Sequence, residues 1–162
     1  LLKALPKMAK AANSVELQKA IESHLEETRT QAERLERIGE LLEFRITGKK
    51  CKAMEGLLEE CKEVLEMEAP PAIIDTAIIA AAQRVEHYEI SGYGTARALA
   101  QHLGHDRVVK LLSATLNEES NADSSLTAIC EEHVLPAVDA ESNDMEDDEA
   151  PTSSKRRMAA RS

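Results

Sequence analysis

The stretch Ala82-Gln-Arg-Val-Glu-His-Tyr-Glu-Ile-Ser-Gly-Tyr93 constrains the fold more than any other. It lies inside a long helical pattern from about Pro71 to His102. There Ile74, Ile78, Ala81, Val85, Gly92, Ala96, Leu99 and Leu103 recur at helical spacing and define one buried stripe. Glu89 falls in that stripe and Glu86 stands one turn before it, so two carboxylates project from neighbouring points of one face. A buried carboxylate is costly, and a pair needs positive charge between its members, from a metal ion or an arginine. A helix of this kind needs other helices to supply the balance.

Composition agrees with an all-α answer. The 162 residues suffice for one domain with a core; 43% are hydrophobic and only 2% aromatic, and Val, Thr and Tyr are too sparse for a sheet. The formal charge of −10 argues against a nucleic-acid groove in the body and suits a soluble protein or one that attracts cations. Cys51, Cys61 and Cys130 have no metal-ligand spacing and no even partner count, which predicts reduced thiols and a cytoplasmic setting. No apolar run approaches a membrane span, and no basic-then-apolar leader is present. The chain does not begin with Met and opens as if within a helix, which predicts a truncated N-terminus.

Five further segments surround the central pattern. Leu1 to about Ala12 reads as the end of a helix containing Pro6, and Asn13-Ser-Val-Glu16 reads as the cap of the next. That next helix runs from about Val15 to Ile46, with His24, Glu27, Thr28 and Gln31 on its apolar side, and Thr47-Gly48 ends it. Lys49 to about Met67 is a shorter amphipathic connector, stopped by Glu68-Ala-Pro-Pro71. Gly104 ends the central helix, and a last helix runs from about Asp106 to His133 with Glu119 and Asp123 in its stripe. The predicted domain covers residues 1–135. From Pro136 to Ser162 the expectation is a disordered tail, acidic over Asp144–Glu149 and basic at Lys155-Arg-Arg157.

The chain also carries an internal echo. Leu25-Glu-Glu-Thr28 is similar to Asn117-Glu-Glu-Ser120, and the shift of 92 residues pairs Glu27 with Glu119 and Gln31 with Asp123. Three helices thus each bring a carboxylate to a buried face: Glu27, Glu86 with Glu89, and Glu119 with Asp123. Bundle-core di-iron and di-manganese centres are built this way, and oxygen-rich ligation suits iron or manganese better than zinc or copper. Structural ion pairs from Glu86 and Glu89 to Arg34, Arg84 or Arg97 are the alternative. His24, one turn before Glu27, reads as a hydrogen-bonded core residue or a support for a ligand. Glu26 and Glu118 read as solvated surface, and Tyr93 reads as core or as a neighbour of Glu89.

His24-Leu-Glu-Glu-Thr28, Ala80-Ala-Ala-Gln-Arg-Val-Glu-His-Tyr-Glu89 with Tyr93-Gly-Thr95, and Leu116-Asn-Glu-Glu119 followed by Asp123 resemble the YciE/YciF ferritin-like family. Leu1-Leu-Lys-Ala-Leu-Pro-Lys-Met-Ala9 resembles its first helix, so the resemblance spans about Leu1 to His133. It implies a ferritin-like antiparallel four-helix bundle with an extra connecting helix, often a homodimer. It further implies a bacterial, cytoplasmic stress protein able to hold two iron or manganese ions. The ligands it carries over are Glu27, Glu86, Glu89, Glu119 and Asp123. There are two departures: the family's first-helix Glu would fall before Leu1, and Gln31 stands where a His is common in relatives. A non-catalytic dimeric stress protein acting through a partner surface is the second reading. A mineral-storing ferritin cage is disfavoured, because the chain shows no counterpart of a ferritin's terminal helix.

Overall fold

In the computed structural model, which describes residues 1–149 and their side chains through 142, the regular structure of the described residues is helical throughout. The elements are α1 (Leu5–Ala11), α2 (Val15–Leu41), α3 (Lys52–Leu65), α4 (Pro71–His102), α5 (Asp106–Ile129) and, after a π-helical turn at Cys130–Val134, α6 (Leu135–Glu149). Helices α1, α2, α4 and α5 form the antiparallel four-helix bundle, and α3 is the connector, packed against α4 and α1.

Local chemistry sets the junctions. Pro6 sits in the first turn of α1, where its missing N–H costs no helical bond. Ser14 caps α2 by accepting from Leu17 N. The buried Asp75 of α4 reinforces that corner, accepting from Asn13 N at 2.8 Å and Ser14 N at 2.7 Å. This carboxylate lies off the stripe read from the sequence, yet it binds the start of α2 to α4.

Helix α2 stops at Leu41, short of the Ile46 expected. Glu43 adopts a left-handed φ of 56°, Phe44 N bonds Gly39 O, and Glu43 N bonds Glu40 O, the paired closure of a Schellman stop. The chain then folds back over Gly39, where a Cβ would lie 2.8 Å from Phe44 O and 2.9 Å from Ile46 Cγ1. The same closure ends α4, with Gly104 at φ 74° and bonds from His105 N to Ala100 O and from Gly104 N to Gln101 O.

The core has two parts. One gathers Leu5, Met8, Leu17, Ile21, Ile78, Val85 and Leu126; the other gathers Ile38, Ala100, Val108 and Leu112. On α2, α4 and α5 the polar residues His24, Gln31, Glu86 and Glu119 occupy the turns between them. The stripe of α4 holds through Val85 and then drifts: Leu99 and Leu103 are 58% and 65% exposed, and Ala100 faces inward instead.

Beyond Pro136 the structure differs from the expected disorder, since α6 is helical as far as Glu149. The π turn shifts the hydrogen-bond register just ahead of Pro136, with Leu135 N bonding Cys130 O, which accommodates the proline ring that would break a regular α-helix. Glu141 then accepts from Ala72 N at 3.2 Å, so its carboxylate sits on the N-terminus of α4. The segment Pro151–Ser162, including the basic Lys155-Arg-Arg157, lies outside the described residues. Cys51, Cys61 and Cys130 are all free thiols.

Candidate metal centre

Helix periodicity delivers three side chains to one point. His24 from α2, Glu86 from α4 and Glu119 from α5 are all buried, and one ligand atom from each lies within 4.8 Å of the other two. His24 Nε2 is 3.4 Å from Glu86 Oε1 and 3.9 Å from Glu119 Oε2. The other ring nitrogen, Nδ1, donates to Glu27 Oε2 at 3.3 Å. An ionised carboxylate only accepts, so this bond places the proton on Nδ1 and turns the Nε2 lone pair toward Glu86 and Glu119. A carboxylate orienting a histidine in this way is the usual partner of a metal-ligating imidazole.

The carboxylates are held out of water. Glu86 is 2% exposed and Glu119 0% exposed. Burial, reinforced by the Glu119 carboxylate beside it, pushes Glu86 up to about 10. Burial and the charge of Glu119 push Glu89 up to about 7. Tyr93, packed over the second core cluster, is raised by burial and by Glu89 and Glu119.

Gln31 is buried and donates from Nε2 to Glu119 Oε1 and, at 3.2 Å, to Glu118 Oε2. Glu118 takes both arms of the Arg34 guanidinium, at 2.5 and 2.7 Å, and this pairing holds its carboxyl below the usual range. Glu118, expected in solvent, is therefore a half-buried member of a network. Arg34 serves Glu118 rather than Glu86 or Glu89.

The five carboxylates read from the sequence separate into groups. Glu86 and Glu119 meet at the centre, and Glu89 lines its edge with Oε2 buried. The Glu27 side chain is 43% exposed and meets the centre through His24. Asp123 accepts from Gln83 Nε2 at 3.0 Å and lies 3.3 Å from His87 Nε2, outside the group of three. The internal echo is thus unequal in space: Glu119 is fully enclosed, whereas its counterpart Glu27 faces solvent.

Four buried atoms of this group, His24 Nε2, Glu86 Oε2, Glu89 Oε2 and Glu119 Oε2, have no hydrogen-bond partner among the described residues. Orphaned acceptors converging from three helices form a donor set that fits a cation, which would supply the absent positive charge.

Comparison with known proteins gives a consistent assignment. Residues 1–138 match the family described as "Domain of unknown function (DUF892)". The chain is 47% identical over 128 residues to protein YciF of Escherichia coli strain K12, covering 78% of this chain and 77% of that one. The crystal structure of the E. coli stress protein YciF superposes with a TM-score of 0.77 at 45% identity, over 80% of this chain and 82% of that one. YcfI of Rhodopseudomonas palustris, described as a candidate structural protein, gives a TM-score of 0.75 at 44% identity, over 78% of this chain and 80% of that one. On sequence and fold together, the chain belongs to the DUF892 family of YciF-like helical bundles.

Proposed function

We propose that this chain is a stress-response protein of the bundle-core carboxylate type, holding non-haem iron or manganese. The observation carrying this reading is the set of four buried, unpartnered acceptor atoms on His24, Glu86, Glu89 and Glu119. Without an ion, the group is a standing cost to the fold. One imidazole nitrogen among several carboxylate oxygens favours iron(II) or manganese(II). His24, Glu86 and Glu119 would hold one ion. Glu89 and the remaining carboxylate oxygens would serve a second, and Glu27 and Asp123 would join after leaving their present partners. Such an ion, once bound, supplies Lewis acidity and, for iron, electron transfer toward peroxide or oxygen.

The protein's own residues set the terms. With no ion bound, Glu27 fixes the imidazole tautomer, Gln31 fixes one oxygen of Glu119, and Arg34 secures Glu118 so that the Gln31 amide keeps its aim. The reading includes a cytoplasmic homodimer. Leu99 on α4 and Leu103 just past its end, one turn apart and exposed, favour pairing with a second copy.

The test is elemental analysis of protein purified without chelators, beside a Glu86→Ala/Glu119→Ala double variant. The expected result is one to two equivalents of iron or manganese, lost in the variant. No metal, even after anaerobic loading with iron(II), sinks the reading. The alternative would then hold, a non-catalytic helical protein acting through its surface. The description of YcfI and the amide at position 31 both favour that alternative over an enzyme.

A further inference from the structure

The residues of the centre are buried, so an ion must pass between the helices to reach them. A cavity of about 160 Å³ reaches His24 and Glu86 from the surface between α2 and α5. It exists because the facing positions are small: Ala20 and Ser23 on α2 oppose Ala122 and Ser125 on α5, with Ala82 of α4 at the floor. Ser23 and Ser125 are exposed, Ala20 and Ala122 half-buried, and Ala82, His24 and Glu86 buried, so the lining runs from solvent to the centre. Two of the orphaned acceptors, His24 Nε2 and Glu86 Oε2, belong to residues on this lining.

We propose that this cavity is the route by which a divalent cation reaches the His24–Glu86–Glu119 group. The inference rests on the cation-site reading above.

Charge selects the cargo and the direction. No Lys or Arg is among the lining residues, Glu27 stands half-exposed on the lining, and hydroxyl and amide oxygens from Ser23, Ser125 and Asn121 can replace waters of a partly stripped ion. At about 30 Å³ per water, the space admits an ion with a few waters attached. The approach past Glu118 is different. The Arg34 guanidinium stands there, paired but still cationic, and the Gln31 amide hydrogens cover Glu119 Oε1. That neutral ion pair and the amide hydrogens give a cation little to bind, whereas the cavity lining, with Glu27 and no Lys or Arg, draws it.

The test is stopped-flow binding of cobalt(II), followed by its visible absorption, with release measured after mixing with excess chelator. Ala20→Leu and Ser125→Leu fill the passage from opposite walls without touching a ligand. Both should slow association and release together, each by about tenfold or more, with stoichiometry and equilibrium affinity unchanged. Ser125→Lys should slow association further at low salt than at high salt. Thr30→Leu, on the exposed side of α2, should leave the rates alone. Ser125 lies at the exposed rim, so its variants stay informative if Ala20→Leu fails to fold. Cobalt(II) bound by the parent at rates that the filling variants do not change overturns the route and leaves the site. No cobalt(II) bound by the parent overturns both.

Discussion

Glu86 and Glu119 are two carboxylates with no room for two charges, and the metal-free protein relieves this by keeping protons. The folded-state value of Glu86 stands near 10 and that of Glu89 near 7, both above the ordinary carboxylate range that applies to the unfolded chain. The folded protein therefore binds more protons than the unfolded one between about pH 4.5 and these values, and stability falls as pH rises across that window. Glu118 works in the opposite sense: its stabilising pair with Arg34 is lost only as pH falls through its lowered value, below the window in question. We expect the Tm of metal-free protein to decline from pH 5 to pH 8. Glu86→Gln should flatten the decline and be more stable than the parent at pH 8 by about 1–3 kcal/mol. Equal slopes in thermal melts would show that Glu86 is ionised at little cost. A second substitution probes Gln31, whose amide hydrogens face Glu118 and Glu119. Gln31→Glu replaces a donor with a third like charge, so the metal-free fold should lose about 1–3 kcal/mol by thermal or urea melts, most of it recovered with manganese(II). Glu86, Glu89 and Glu119 were legible because helical periodicity puts a carboxylate in an apolar stripe. From spacing alone His24 reads as a hydrogen-bonded core residue or a support for a ligand. Its Nδ1 partner Glu27 and the inward aim of Nε2 depend on a rotamer, which no spacing specifies.

Helix ends show a different kind of legibility. Gly104 announced the stop of α4, since glycine alone takes φ 74° without cost. The stop of α2 went unread because Glu43 occupies the same left-handed place. The sequence showed only an unbroken pattern to Ile46 and the more obvious Gly48. Glu43→Gly should therefore stabilise the protein by about 0.5–1 kcal/mol despite the gain in unfolded-chain entropy, a rise visible in urea melts. Gly39→Ala, ordinarily favourable in a helix, should cost about 1–3 kcal/mol, because its methyl would press on the Phe44 carbonyl, which cannot swing away as a side chain can. If Gly39→Ala stabilises instead, the chain after Leu41 is not seated over α2. The π turn at Cys130–Val134 was unreadable for a related reason. Pro136 signals a break, and only the register shift ahead of it together with the Glu141 contact on α4 explains why helix continues.

At the scale of the molecule, the order of helices and the connector followed from the alternation of apolar stripes with Gly and Pro stops, and the four-helix bundle from the resemblance to the YciE/YciF family. What did not follow was the rotation of each helix, which leaves Leu99 and Leu103 outside and turns Glu27 partly to solvent. That rotation also makes the two halves of the bundle unequal, with the orphaned acceptors set between two apolar clusters. A cation bound there joins α2, α4 and α5 and binds the folded chain alone, so it raises stability by mass action. At a hundredfold excess over the dissociation constant the gain is about 2.7 kcal/mol. For a domain of this size, that corresponds to roughly 5–10 °C in Tm. The same ion must displace the protons of Glu86 and Glu89, so its affinity rises with pH while the metal-free fold weakens. The separation between loaded and metal-free melting curves should therefore widen from pH 5.5 to pH 8 with manganese(II), and close in Glu86→Ala/Glu119→Ala. Calorimetric melts at matched ionic strength, with magnesium as the weakly dehydrating control, decide this. A shift of equal size at both pH values and in the double variant would place the ion on the acidic surface rather than among His24, Glu86 and Glu119.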